Sequence, residues 1–295
     1  MRYAALASLV FMASPALAAS LVPSNGVISS SGEYYLAADR TTTGTTNIEI
    51  TASGVTLNLN GKTVRCNPAN PASAVTFGVK MNTGNNRVYN GKVTGCFMGV
   101  KADGSSGNVI EGIDFSGNTY IGVNGGTVIR GNIFDDMAGY EGEPYAIGIN
   151  APGGNCLIFG NTFRNLHRQP VSDPEKIGEG VGALLNSGST NCVVEANWFE
   201  NDELGSERDI GVWVAVGGSA SIHDNSFTNL GWAVANRGTT TITDNRFWMR
   251  DEEEDSVAID GDGASATTTA TGNVIIDFDD AFLGTVSASD NLILP

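Results

Sequence analysis

The chain has 295 residues and a formal net charge of −16, with 16 Lys and Arg against 32 Asp and Glu. That balance excludes a nucleic-acid partner, since duplex binding rests on basic residues neutralising phosphates, and it disfavours an anionic membrane surface. Hydrophobic residues make up 41%, enough for a large core and too much for a disordered chain, while 38 Gly and few long charged side chains indicate an all-β protein rich in turns.

Residues 1–18 read as a secretory signal peptide. Arg2 is a short positive region, Ala4 to Ala13 an apolar stretch, and Ala16-Leu17-Ala18 a small-x-small cleavage pattern, so processing is expected after Ala18. The apolar run is shorter than the roughly 20 residues a membrane span needs, and no later stretch is apolar enough. The mature chain, 19–295, is expected to be a bacterial secreted or periplasmic protein with no membrane span.

One phrase then recurs along the chain. It reads VIRGNIF ending at Phe134, LIFGNTF at Phe163, VVEANWF at Phe199, SIHDNSF at Phe227 and TITDNRF at Phe247. Weaker copies end at Phe115, Ile275 and Ile293, and VTLNLNGKT and RVYNGKV hold the same register upstream. Aligned positions lie 18 to 36 residues apart, a fixed minimum with a variable excess. That is the signature of a β-solenoid: three short strands per coil, coils stacked in parallel about 4.8 Å apart, about ten rungs in all. The recurring Asn (Asn132, Asn161, Asn197, Asn225, Asn245, Asn273, Asn291) suits a turn whose side-chain amide bonds the coils above and below, and Asn tolerates a left-handed backbone. The Phe two residues later is expected to point inward in a single column. A two-sheet sandwich is set aside, because it would show a regular spacing of roughly 8 to 12 residues without this phrase.

The opening GEYYLAAD (Gly32–Asp39) and IEITASGVTLNLNGKTV (Ile48–Val64) resemble the entry coil of the right-handed parallel β-helix proteins of the pectin-lyase-like superfamily, and more narrowly the generic NosD-like repeat group. The resemblance runs from about Ser20 to Pro295. It implies a right-handed parallel β-helix, and it says little about chemistry because the repeated residues are structural.

Cys66 and Cys96 each fall six residues after an aligned Asn, and Cys156 and Cys192 each fall five before one. Each pair therefore shares one position in adjacent coils, about 4.8 Å apart, near the short end of disulfide Cα separations. Bridges and stacked buried thiols both satisfy that spacing, and an oxidising compartment favours the bridges Cys66–Cys96 and Cys156–Cys192.

The excess residues fall repeatedly after the Phe strand, as loop insertions at 135–145, 164–180, 200–209 and 248–256. In-register stacking puts these loops on one side of the rod, beside the strand that floors the groove in pectate-lyase-like enzymes. A polysaccharide lyase acting on a uronate glycan needs a cation for the carboxylate, a base for the C5 proton and an acid for the leaving oxygen. Arg168 or Arg208 suits the first role, Lys176 or His167 the second, and Tyr145 or Tyr140 the third. A C5-epimerase would use a similar set, and a hydrolase would need two of Glu141, Asp173, Glu179, Glu207 and Asp209. Tyr140, Glu179, Asp209 and Trp232 are candidate substrate contacts. The run Asp251–Asp255 reads as a solvated loop and His223 as a structural strand residue.

On the floor strands, Ile149, Leu185, Ala215, Ala235 and Ile259 are expected inward, with Gly148, Leu184, Val214, Val234, Ala258 and Trp232 outward. The resulting apolar face lacks the acidic calcium ladder of pectate lyases and the paired Asp of polygalacturonases. No cofactor is certain. Copper is disfavoured by two distant histidines and scattered methionines, whereas calcium has candidate ligands in Asp260 and Asp262, with Asp277–Asp280 one coil later. Two functions remain open: a lyase- or epimerase-like enzyme with a polysaccharide partner, or a non-catalytic carbohydrate-binding, adhesin or structural surface protein.

Overall fold

The computed structural model describes residues 18–67, 75–102, 106–139, 145–167, 180–201, 209–250 and 255–295, apart from the side chains of Ala138 and His167. Among them there is no helix, and the strand pairings are parallel. One coil comprises the strands Ala146–Ala151, Leu157–Phe159 and Thr162–His167, and the next repeats it as Gly180–Leu185, Cys192–Glu195 and Trp198–Glu200. The first strands of successive coils form an 11-stranded sheet, one rung beyond the ten expected. The second and third strands build two further faces. These join in one 21-stranded ladder because Arg87–Thr94 and Val109–Asp114 run unbroken round the bend between them. The chain is thus an all-β parallel β-helix.

The repeated phrase does what its composition dictates. Asn132, Asn161, Asn197, Asn225, Asn245 and Asn273 are buried at the bend between second and third faces. Each Oδ1 from Asn161 to Asn273 accepts the backbone N–H of the ladder Asn one coil before it, at 2.9–3.0 Å. Each Nδ2 donates to a strand carbonyl, as Asn197 does to Ile158 at 2.9 Å. The left-handed residue is not the Asn, as its tolerance of that conformation suggested, but the residue before it: Gly131, Gly160, Ala196, Asp224 and Asp244, with φ between 54° and 61°. The Asn is freed to satisfy the polar groups that the bend strips from the ladder.

Two residues on, Phe115, Phe134, Phe163, Phe199, Phe227 and Phe247 stack as one interior column, with ring centroids 4.5–5.1 Å apart and planes within 7° of parallel. Each ring is at most 2% exposed, and burying a side chain of this size stabilises by about 1.5–3 kcal/mol. Both predicted disulfides are present, Cys66–Cys96 and Cys156–Cys192, with Cα separations of 4.9 and 4.5 Å.

The expected phase of the 11-stranded sheet needs correcting. Val214, Val234 and Ala258, expected outward, lie in the core; Trp213 and Ala235 pair outward instead, in line with Leu184, which is outward as expected. The cause is a column of small residues. A Cβ on Gly122, Gly148, Gly182 or Gly211 would fall 2.5–2.7 Å from the ring of Phe134, Phe163, Phe199 or Phe227 respectively, so these glycines face inward. The next residue (Val123, Ile149, Ala183, Val212) is also buried in the core. Two successive residues facing inward break the period of two on which the inward and outward assignment rested.

Candidate functional site

The outward face of the 11-stranded sheet carries two columns fixed by strand register. One runs Phe77, Met98, Ile121, Ile147, Val181, Ile210, Trp232, Val257. The other runs Glu49, Lys80, Lys101, Asn124, Asn150, Leu184, Trp213, Ala235, Asp260. Ile121, Ile147, Val181, Ile210 and Ala235 form a second apolar cluster, separate from the core, with Met98, Tyr120, Tyr145, Leu184, Trp213 and Trp232 packed partly buried against it.

The face changes character along the rod. Toward the N-terminal end Lys80 lies 3.9 Å from Glu49, and the Lys101 ammonium sits 5.3 Å from the centre of the Phe77 ring. In the middle, three amides form a chain: Asn186 Nδ2 donates to Asn150 Oδ1 and Asn150 Nδ2 to Asn124 Oδ1, at 2.5 and 3.0 Å. Toward the C-terminal end come half-buried Trp213 and Trp232. Cations, amides and aromatic faces in that order are the three chemistries that recognise a carboxylated sugar chain: charge for carboxylates, amides for hydroxyls, rings for the pyranose face.

Of the residues selected from the sequence, Trp232 is on this face and Tyr145 packs beside it. Tyr140, Arg168, Lys176, Glu179 and Arg208 lie outside the described residues, and so does the side chain of His167, whose backbone ends the strand Thr162–His167. Asp209 is not displayed for a ligand but is 3% exposed and acts as a brace. Its Oδ1 accepts the Gly180 N–H at 3.2 Å, and its Oδ2 accepts from Asn201 Nδ2 at 2.8 Å.

The DGDG turn is likewise committed internally. Asp260 is buried, with Oδ2 2.7 Å from Arg237 Nη2 and Oδ1 accepting the Asp262 N–H at 2.8 Å, while Asp262 is exposed. Asp279 accepts from the backbone and hydroxyl of Ser256. A calcium ion at Asp260 would have to displace the guanidinium, so this turn is not a ready-made calcium cage.

Lys80, Lys101, Asn124, Asn150 and Trp213 were missed from the sequence. A signal for the first four existed: FGVK, MGVK, IGVN and IGIN (Phe77–Lys80, Met98–Lys101, Ile121–Asn124, Ile147–Asn150) repeat one phrase whose last residue faces out.

Other concavities lie off this face. A 440 Å³ groove on the second face is lined by Tyr89, Glu111, Arg130 and Phe159. There Glu111 is clamped between Arg87 and Arg130, the latter at 2.5 Å. Burial pulls the Glu111 carboxyl upward, but hydrogen bonds and charge from Arg130 and Arg87 outweigh it and hold the pKa below the ordinary value. Asp114 behaves alike: partial burial raises it, and Lys92 and Ser116 more than reverse that. Arg87 and Arg130 share the single Glu111 carboxylate, so this group of three keeps one net positive charge. A 630 Å³ hollow at the turn after the first face is lined by Gly125, Gly126, Pro152, Gly153, Gly154 and their neighbours, and among the described residues no titratable side chain lines it.

The architecture is a parallel β-helix, a single stack of three-strand parallel coils with an Asn ladder and an aromatic column. Among solved structures, the chain is similar to the crystal structure of an alginate lyase from Paenibacillus sp. str. FPU-7, with a TM-score of 0.59 and 14% sequence identity over 88% of this chain and 98% of that one. At that identity the likeness is one of fold. No family model matches the sequence, and no curated protein matches it.

Proposed function

We propose that this chain is a secreted or periplasmic protein that binds a uronate-containing polysaccharide along the outward face of its 11-stranded sheet and acts on it by β-elimination or C5-epimerisation. The observation carrying this reading is the ordered face itself, with Lys80 and Lys101, then Asn124 and Asn150, then Trp213 and Trp232, on one rigid sheet. The alginate lyase that shares the fold supports the substrate class. A rigid sheet holds such groups at a repeat of about 4.8 Å per coil, close to the length of one pyranose unit, so successive coils can serve successive sugars.

In this reading Lys80 and Lys101 neutralise carboxylates. The step itself, removal of the C5 proton and protonation of the leaving oxygen, falls in this reading to Tyr145, which packs against the floor, and to His167, Arg168, Lys176 and Arg208 of the insertions, whose side chains lie outside the described residues. Net charge −16 makes those local cations necessary, since the protein as a whole repels a polyanion.

The test is incubation with a panel of uronate polymers, reading the ultraviolet absorbance of the unsaturated product and exchange of solvent deuterium into C5. Lys101→Ala is expected to weaken turnover or binding about tenfold or more. A panel giving neither product, nor exchange, nor retardation of the protein in polymer-containing gels would end the proposal. The second reading, a non-catalytic binding surface, is favoured by the long apolar column from Ile121 to Ile210. It predicts retardation in the gel without product.

A further inference from the structure

The second face carries a group of side chains that the polysaccharide reading does not use. Glu195 and His223 are register partners on adjacent coils, and Asp224 follows His223 at the bend. Donor atoms from the three lie within 4.8 Å of one another, and among the described residues this is the one cluster of three such side chains.

Their setting differs from that of most other strand carboxylates. Glu49, Glu111, Asp114, Asp135, Glu200 and Asp260 each face a Lys or Arg from another coil. Among the described residues no Lys or Arg pairs with Glu195 or Asp224, and the group facing them is an imidazole. At the equivalent positions of flanking coils the pair His223-Asp224 becomes Phe159-Gly160, Thr243-Asp244 and Thr271-Gly272, so the repeat does not require it.

We propose that Glu195, His223 and Asp224 bind a divalent transition-metal ion of the zinc type. His223 Nδ1 and Asp224 Oδ2 are 3.0 Å apart in a hydrogen bond, and an opening to about 3.4 Å seats both as tetrahedral ligands about 2.1 Å from one ion. Glu195 approaches from the next coil and supplies the third donor. One nitrogen and two carboxylates suit zinc, copper or nickel and not calcium or magnesium, which take oxygen ligands.

The backbone under the site is rigid. The His223 carbonyl accepts the Ala196 N–H, the Asp224 N–H donates to Thr243, and the buried Asn225 of the ladder follows directly. Waters or a ligand's own carboxylate fill the remaining positions. The site is on a different face from the sugar-binding floor, and the two proposals stand or fall separately.

The experiment is titration of the mature full-length chain with Zn²⁺ by calorimetry near neutral pH, with Cu²⁺ as the spectroscopic probe. The wild type is expected to bind one equivalent, and the Cu²⁺ resonance to show coupling to a single nitrogen. The variants His223→Ala, Glu195→Gln and Asp224→Asn should each weaken Zn²⁺ at least tenfold, and His223→Ala should remove the nitrogen coupling. His167→Ala, at the other of the two histidines, should leave metal binding unchanged. Melting in metal-free buffer verifies that each variant is folded, and any one folded variant suffices. No Zn²⁺ binding by the wild type, or binding by folded His223→Ala within threefold of it, overturns the proposal.

Discussion

The Asn ladder gives the sharpest test of how the rod is held together, and Asn197 is its best-placed rung. Its Oδ1 accepts the N–H of Asn161 at 2.9 Å, and its Nδ2 donates to the carbonyls of Ile158 at 2.9 Å and Glu195 at 3.0 Å and to Asn225 Oδ1 at 3.0 Å. In Asn197→Ala some of these groups find other partners: Glu195 still accepts from Gly160, and Asn225 Oδ1 still accepts the residue-197 N–H. The Ile158 carbonyl keeps the Glu195 N–H that the parallel register gives it, while the Asn161 N–H loses this partner in a bend from which water is excluded. A buried polar group left unsatisfied costs about 1–3 kcal/mol, and that is the expected cost of the substitution. For a chain of this size that lowers the melting temperature by about 2–4 °C per kcal/mol.

Asn197→Asp separates hydrogen bonding from shape. It keeps the acceptor for Asn161 but sets a carboxylate against two carbonyls, which raises its folded pKa above the unfolded value. Stability is then fullest at pH below the unfolded carboxyl pKa and is lost as pH rises through the folded one, so this variant should lose ground against wild type on going from acid to neutral pH. Denaturant melts across pH, with exchange of the Asn161 amide proton, measure both effects. Asn197→Ala within about 0.5 kcal/mol of wild type, with Asn161 still protected, would show that the ladder decorates the rod without holding it.

Three further outcomes follow from the same geometry. Ala196 sits at φ 54° where Gly131 and Gly160 occupy the equivalent turns, so Ala196→Gly should stabilise by about 1 kcal/mol in denaturant melts; destabilisation would mean that its methyl group packs productively. Each disulfide closes about one coil, 30 residues for Cys66–Cys96 and 36 for Cys156–Cys192, and loop-closure entropy assigns each about 3.7 kcal/mol, so melting with and without reductant should differ by several degrees per bridge. Glu111 has its pKa lowered in the fold, so its contribution is present above the unfolded carboxyl pKa and is lost as pH falls through the folded one. Replacing Arg87 and Arg130 together by Gln leaves only burial acting on Glu111 and should flatten or invert that acid limb of melting temperature against pH.

The parts of the molecule that repeat were legible, and the parts that occur once were not. The Asn and Phe columns recur five times in near-identical phrases, and both cystine pairs could be placed by counting from the same Asn, because stacking converts sequence register into vertical contact. The insertions differ from coil to coil, so spacing says only where they start. Asp209 shows the consequence: its position beside charged neighbours suggested a surface ligand, yet its carboxylate turns inward to hold the ends of two coils. Trp213 was passed over for the opposite reason, since strict alternation was carried through a bend that does not alternate, and Lys101 because it lies upstream of the strands to which that alternation was applied.

That bend links the core to the outer face. Phe199 lies flat under Gly182, where an added Cβ would come within 2.6 Å of both the ring and the Gly211 carbonyl. From Gly122 to Gly211 the flat rings leave room for no Cβ, and this column of small residues sets which residues of each floor strand face out. Ala233 and Ala258 continue the column with one more carbon each, so the restriction is local to the coils of Phe134 to Phe227. Gly182→Ala should cost about 1–3 kcal/mol by overpacking. Adding Phe199→Leu, which removes the flat ring, should recover part of that cost, so the double variant is more stable than the sum of the singles predicts. Additivity within about 0.5 kcal/mol would mean that ring and glycine are independent, and the phase of the candidate binding face would then need another cause.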